Sequence, residues 1–270
     1  MQVLKINPVL AQIGPLTIHW YGLMYAVAFL AGYVWLYYSR PGKNLTTTSG
    51  HPLTSAQKDV LAVSVILGVL IGGRLGYILF YNPGFYLSNP AKILAVWEGG
   101  MSFHGGLIGV FLALIWLTRK YRISFLKMAD FVTGIAPVGL LLGRIGNFIN
   151  GELFGRIANG PFASQMCVYF PGDPANCRYP SQLFEALLEG VVLFWLLAGV
   201  RRRTQRSGAV TAMFLLFYGI FRFLVEFYRE PDPQIGYVLG FFTEGQIFST
   251  LMMIGGAMLL WRVMKQRAPK

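Results

Sequence analysis

Charge is scarce in this sequence. Asp, Glu, Lys and Arg make up 13% of its 270 residues, against roughly 25% in a soluble domain. That rules out an ordinary soluble fold. Acids are the rarer sign, 11 Asp and Glu against 23 Lys and Arg, for a net charge of +12. Cysteine and histidine are nearly missing, with two and three copies, so neither a redox centre nor a metal site is expected. There is no HExxH, no GxSxG and no P-loop, each of which carries a defined chemistry. The apolar runs hold no paired aspartates, and Asp130 lies at an inner end. A metalloprotease, a serine hydrolase and an aspartyl intramembrane protease therefore lack their parts. The N-terminus shows no apolar core followed by a small-residue cleavage site, so no cleavable signal peptide is expected. A convincing internal repeat is missing too, which counts against an inverted-repeat transporter.

What is present is apolar length. Hydrophobic residues make up 55% of the chain, and the mean hydropathy is +0.53. Crossing a bilayer takes roughly 20 mostly apolar residues per helix. Segments 20–39, 58–81, 101–118, 129–149, 182–200, 208–228 and 244–263 qualify. They run without period-two alternation, so helices are expected and a β-barrel is not. The expectation is an all-α polytopic integral membrane protein with about seven transmembrane helices. It reads as a single membrane-embedded domain, 1–270, with a loop or head at about 150–181. Residues 82–100 could hold a short interfacial helix with Trp97 at headgroup level.

Lys and Arg set the orientation. Arg119, Lys120, Arg122 and Lys127 follow the third segment, Arg201, Arg202, Arg203 and Arg206 the fifth, and Arg262, Lys265, Arg267 and Lys270 the seventh. Arg40, Lys43 and Lys58 follow the first. The N-terminus is thus expected outside and the C-terminus in the cytoplasm. The positive charge forms a belt at the inner leaflet and does not suggest nucleic acid. Cys167 and Cys177 share the outward loop. That side can be oxidising, and the sequence leaves a disulfide between them open.

With that topology, polar residues from five segments fall in one outer layer: Tyr21 and Tyr25, Arg74, His104, Arg144, and Arg222 with Glu226. Ionisable residues inside spans are costly and usually face a cavity or a partner. An arginine fork matches phosphate, so the layer reads as an outward-facing cavity for an anionic headgroup. Each residue also has a plainer reading. Arg74 could sit in an ion pair or snorkel to the interface, and Arg222 could pair with Glu226 four residues on. His104 stands in "MSFHGGLIG", where Gly105 and Gly106 clear space beside an imidazole that can accept a proton. Tyr218, Arg222 and Glu226 share one helical face, and the tyrosines could equally be packing. Arg144 opens "GRIGNFINGELFGR", where Gly143, Gly146 and Gly151 admit backbone and Asn147 and Asn150 add donors. A lipid or small-anion transporter and a non-catalytic lipid-binding scaffold remain as rivals. The apolar inner half counts against the first.

That stretch, 143–156, closely resembles the signature of the prolipoprotein diacylglyceryl transferase family. The resemblance extends through "HWYGLMYA" at 19–26, "GGRLGYILFYNP" at 72–83, "WEGGMSFHGGLIG" at 97–109, "YPSQLFEALLEG" at 179–190, "YGIFRFLVEFYREPD" at 218–232 and "GQIFS" at 245–249, in the family's order and spacing. It implies a bacterial inner-membrane enzyme with seven spans and a periplasmic N-terminus. Such an enzyme moves the diacylglyceryl group of phosphatidylglycerol onto the lipobox cysteine of a prolipoprotein signal peptide, forming a thioether and releasing glycerol phosphate. No metal or organic cofactor is implied, and a monomer is the working expectation. By the resemblance, Arg144, Arg222 and His104 match catalytic positions. Tyr25, Asn147, Glu152, Gly155, Tyr218 and Glu226 match positions tied to activity or phosphatidylglycerol binding. The implied division of labour has Arg144 and Arg222 holding phosphate and His104 taking the thiol proton, with Glu152 and Glu226 positioning arginines. Two positions depart from many relatives: Tyr179 stands for a histidine and Phe184 for a tyrosine, so neither receives a role.

Overall fold

The computed structural model describes residues 3–4, 6–14, 16–81, 83–95, 99–159, 163–231, 237–238 and 241–265. Among them are seven long helices: α1 (Trp20–Tyr38), α2 (Ser55–Tyr81), α3 (Phe103–Tyr121), α4 (Phe125–Asn150), α5 (Ser181–Arg203), α6 (Ala209–Val225) and α7 (Glu244–Lys265). Five of them, α1, α2, α4, α5 and α7, are long and apolar enough to cross a membrane. Helix α6 is apolar but shorter, at 17 residues. Helix α3 has 19 residues but carries His104 at its start and Arg119 and Lys120 at its end. The chain is a mostly helical, polytopic membrane protein. Short antiparallel hairpins interrupt the helices: β1 (Val9–Ile13) with β2 (Leu16–His19), β3 (Val168–Phe170) with β4 (Asp173–Arg178), and Tyr237–Val238 with Phe242–Thr243. The all-helical expectation did not include them. Within the stretch expected to hold a short helix are a short α-helix, Pro83–Ser88, and a 3-10 helix, Pro90–Leu94; Trp97 lies outside the described residues.

The chain forms two compact units, residues 1–31 with 132–270, and residues 32–131. In the first, hairpin β1–β2 turns at Gly14, whose φ of +59° suits glycine, and runs straight into α1. Helix α4 contains Pro137. Helix α5 is α-helical over Ser181–Glu185, π-helical over Ala186–Val192, and α-helical again over Leu193–Arg203. Short π-helical stretches inside α-helices are frequent at functional sites. Leu193 and Leu197 of α5 pack with Val210 and Tyr218 of α6. Helix α7 meets α6 where side chains are smallest: a Cβ on Gly219 would stand 2.8 Å from the Ser249 carbonyl oxygen, and one on Gly256 2.9 Å from that of Ala212.

In the second unit α2 and α3 approach backbone to backbone. A Cβ on Gly76 would lie 2.6 Å from Gly105 Cα, and one on Gly72 2.9 Å from Gly109 Cα. Such small-residue contacts drive helix association where lipid removes the hydrophobic incentive. Arg74, 5% exposed, is not ion-paired to a described acid. Its Nε donates to Ile93 O at 3.0 Å, Nη1 to Gly99 O at 2.5 Å and Gly100 O at 3.0 Å, and Nη2 to Lys92 O at 2.6 Å and Ala95 O at 3.1 Å. Arginine has five N–H donors, and all five meet backbone carbonyls. Its plane also lies 5.0 Å over the Tyr86 ring. Arg74 thus clamps Lys92–Ala95 together with Gly99 and Gly100.

Candidate functional site

The first unit gathers the arginines of α4 and α6 onto one acid. Glu185, at the end of the first α-helical stretch of α5, is 1% exposed. Its Oε2 pairs with Arg144 Nε, and its Oε1 lies 2.5 Å from Arg222 Nη1 and 3.3 Å from Arg229 Nη1. Glu226, one turn after Arg222, is 3% exposed. Its Oε1 pairs with Arg222 Nη2 and lies 3.6 Å from Arg229 Nε, while Oε2 accepts from Thr243 Oγ1 at 3.2 Å. Arg222 therefore does pair with Glu226, and it does more: its other terminal nitrogen reaches across to α5. Charges buried this deeply persist only when paired, and three guanidinium groups share two carboxylates here.

A hydrogen-bonded chain continues from Arg144. Its Nη1 donates to Asn147 Oδ1 at 3.4 Å, and Asn147 Nδ2 donates to Glu152 Oε1 at 2.9 Å. Asn150 Nδ2 donates to the same Glu152 oxygen at 3.3 Å. Glu152 thus holds asparagines, where the sequence reading had it holding an arginine. Gln182 Nε2 ties the Glu152 carbonyl to the start of α5 at 2.7 Å. Tyr21 and Tyr25 on α1 bring their hydroxyls to 3.2 Å. The Tyr21 ring lies where a side chain at position 146 would project, 2.8 Å from a Cβ there, so Gly146 is what lets α1 come this close. Tyr25 thus meets α4 through Tyr21.

The loop after α4 is held by backbone. Gly155 N donates to Tyr179 O at 2.8 Å, and Arg156 N to Tyr228 O at 2.9 Å. Arg156 Nε then donates to Arg229 O at 2.9 Å. A Cβ on Gly155 would stand 2.8 Å from Tyr179 O and closer still to Tyr228 O. The glycine therefore allows three strands of chain to cross just outside Glu226 and Arg229. Hairpin β3–β4 backs this crossing and is closed by a Cys167–Cys177 disulfide, the pairing that the sequence left open. Arg178 Nη1 caps Gly155 O at 3.1 Å, and its Nε donates to Asp173 Oδ2 at 2.5 Å. That hydrogen bond holds the Asp173 carboxyl below its usual range.

Two candidates stand elsewhere. Tyr218, 9% exposed, stacks on Phe214 with centroids 5.5 Å apart inside the α5–α6 core. His104 belongs to the second unit. It is the second residue of α3, follows the Ser102 cap and sets its ring edge-on to Phe103 at 5.7 Å. Sequence reasoning missed Glu185, Glu189 and Arg229, and passed over Tyr21 in favour of Tyr25. The signal for the first two was present: "FEALLEG" puts two acids one turn apart in an apolar span, and intramembrane acids are functional candidates by default.

Comparisons with known proteins bear on the family. The family model described as "Prolipoprotein diacylglyceryl transferase" matches residues 8–262. The chain is 50% identical over 258 residues to the phosphatidylglycerol–prolipoprotein diacylglyceryl transferase of Geobacter sulfurreducens, covering 95% of each chain. It is 49% identical to the protein of that name from Aliivibrio salmonicida, over 95% of this chain and 87% of that one. With the Bordetella avium protein it shares 48% identity over 96% and 95%.

Proposed function

The chain belongs to the prolipoprotein diacylglyceryl transferase family, and on that premise we propose how its arginine cluster carries out the transfer. The protein moves the diacylglyceryl group of phosphatidylglycerol to the cysteine thiol of a prolipoprotein, the first step of lipoprotein maturation. One observation carries the assignment of the site: Arg144 and Arg222, from different helices, converge on a single buried carboxylate. Two guanidinium forks pre-set around a carboxylate are also set for a phosphate oxygen pair.

The step is a displacement at carbon. A thiolate sulfur attacks the glycerol CH2 that bears the phosphate. The C–S bond forms, the C–O bond breaks, and its electron pair leaves on glycerol phosphate. The phosphodiester monoanion thereby becomes a phosphomonoester with one more negative charge. Arg144 and Arg222 stabilise that added charge, which is where preorganised cations accelerate most. Asn147, positioned by Glu152, orients the Arg144 side, with Tyr21 and Tyr25 beside it on α1. Glu226 aligns Arg222, and Gly155 and Tyr218 support the cluster through backbone crossing and core packing. A free thiol of pKa near 8.5 is mostly protonated at neutral pH, and His104 takes its proton. In this reading the protein is a monomer with seven spans in the bacterial inner membrane, its N-terminus and the 150–181 head facing the periplasm, and it works as a single domain.

Purified protein is given phosphatidylglycerol and a lipobox peptide, beside a cysteine-to-serine peptide. Glycerol phosphate release should require the cysteine and match a diacylglyceryl mass gain. R144A and R222A should each lose at least about 100-fold in rate, the usual scale for removing a transition-state charge partner. Folded R144A and R222A turning over at the parent rate would refute the arginine assignment. Parent-like H104Q would remove only the base.

A further inference from the structure

Helix α5 buries a second acid one turn after Glu185, and the reaction as described does not use it. Glu189 is 0% exposed, and both its carboxylate oxygens lack a hydrogen-bond partner among the described residues. It sits in the π-helical stretch Ala186–Val192. Next to it, Gly190 brings the helix so near α4 that a Cβ would stand 3.0 Å from Leu141 Cα. Buried polar groups are almost always partnered, and each exception calls for a reason. The charged and titratable groups within electrostatic reach of Glu189 are Glu185 on its own helix, Arg144 from α4, Tyr218 and Arg222 from α6, and Arg229 from the turn beyond.

The charge count supplies the reason. Among the described residues, the ion pairs of this cluster join three guanidiniums, Arg144, Arg222 and Arg229, and two carboxylates, Glu185 and Glu226. One positive charge is left over if Glu189 is a carboxylic acid, and none if it is a carboxylate. A phosphodiester headgroup brings one negative charge. As an ion, Glu189 would also be unpaired in a dry site, which costs several kcal/mol, and would repel Glu185 one turn away.

We propose that Glu189 carries a proton when lipid is bound, and so acts as a positioning residue that leaves the arginine cluster one positive charge matched to a phosphodiester monoanion. This rests on the reading that Arg144 and Arg222 seat the phosphate. Lipid binding and protonation of Glu189 are then linked. Once pH is high enough to ionise Glu189 in the lipid-free protein, binding must take up one proton, and Kd rises about tenfold per pH unit.

The test is calorimetric titration of the full chain in neutral detergent with short-chain phosphatidylglycerol and no peptide. Buffers of different ionisation heat report protons taken up, from neutral to alkaline pH. The parent should show uptake approaching one proton per lipid together with the rise in Kd. E189Q, fixed in the neutral form, should show neither. Y218F controls for the nearby phenol and should keep both. A parent that takes up no proton anywhere in the range overturns the proposal, even if E189Q does not fold. So does an E189Q that keeps the parent's uptake, or a Y218F that abolishes it. The arginine reading is tested separately: R144A or R222A binding the lipid as tightly as the parent overturns that reading and leaves the proton count of the parent as it was measured.

Discussion

Replacing Glu185 by glutamine is the sharpest perturbation that the cluster offers. The side chain keeps its volume and loses its charge. In the parent, one 1%-exposed carboxylate contacts Arg144, Arg222 and Arg229. In E185Q Arg222 and Arg229 retain Glu226 as an ion-pair partner, and Arg144 retains none within the described cluster. Removing one member of a buried pair costs about 3–5 kcal/mol. At roughly 2–4 °C per kcal/mol, the melting temperature should fall by about 6–20 °C. The deficit should also be repairable, because a phosphodiester can supply the missing anion. A lipid present at 100 times its Kd stabilises by about 2.7 kcal/mol. The assay is a thermal melt in neutral detergent, with and without phosphatidylglycerol, for parent and E185Q. Lipid should raise the E185Q melt by more than it raises the parent's, because in the parent Glu185 already occupies the arginines. An E185Q melt within about 1 °C of the parent in neutral detergent, or equal lipid shifts in both, would refute the view that this carboxylate and the phosphate answer the same arginines.

Two further outcomes follow from groups outside the cluster. Arg74→Lys offers three donors in place of five, so at least two of the contacts to the carbonyls of Lys92, Ile93, Ala95, Gly99 and Gly100 are lost. At about 0.5–1.5 kcal/mol per hydrogen bond, R74K should lose about 1 kcal/mol or more and open the chain around Lys92–Ala95 to protease; an unchanged melt and digest would sink the clamp. Asp173 has a carboxyl held below its ordinary range by the Arg178 hydrogen bond, so its contribution is complete above the unfolded value near 3.9 and is lost as pH falls through the lower folded value. Melts taken through that acid range should show a stability step in the parent that D173N lacks, and identical acid profiles would show that the bond carries no linkage.

Helix positions were largely legible in the residues, because a bilayer demands long apolar runs and leaves few other ways to satisfy the backbone. The run read as 129–149 is α4, Phe125–Asn150, and the run read as 182–200 is α5, Ser181–Arg203. The short hairpins were not legible. Val168–Phe170 is too short for an alternating pattern and Asp173–Arg178, "DPANCR", lacks β-branched and aromatic residues; they are held by a disulfide and by crossings at Gly155 that lie far apart in sequence. Arg144 and Arg222 stood out because arginine inside an apolar run is rare. Glu185 and Glu189 did not, because attention to cations hid two acids in "FEALLEG".

By itself the sequence determined that this chain lives in a membrane, which segments are helical, and which family it joins. These properties are carried by composition, by runs of about 20 residues and by motifs read in order. Pairings were decided only in three dimensions. That Arg74 is spent on five carbonyls of a loop, while Arg144 and Arg222 meet at Glu185, depends on which helix faces which. An arginine carries the same charge in each setting. Its role comes from the partner that packing brings within hydrogen-bonding distance, since a buried guanidinium persists only where its donors and its charge are answered.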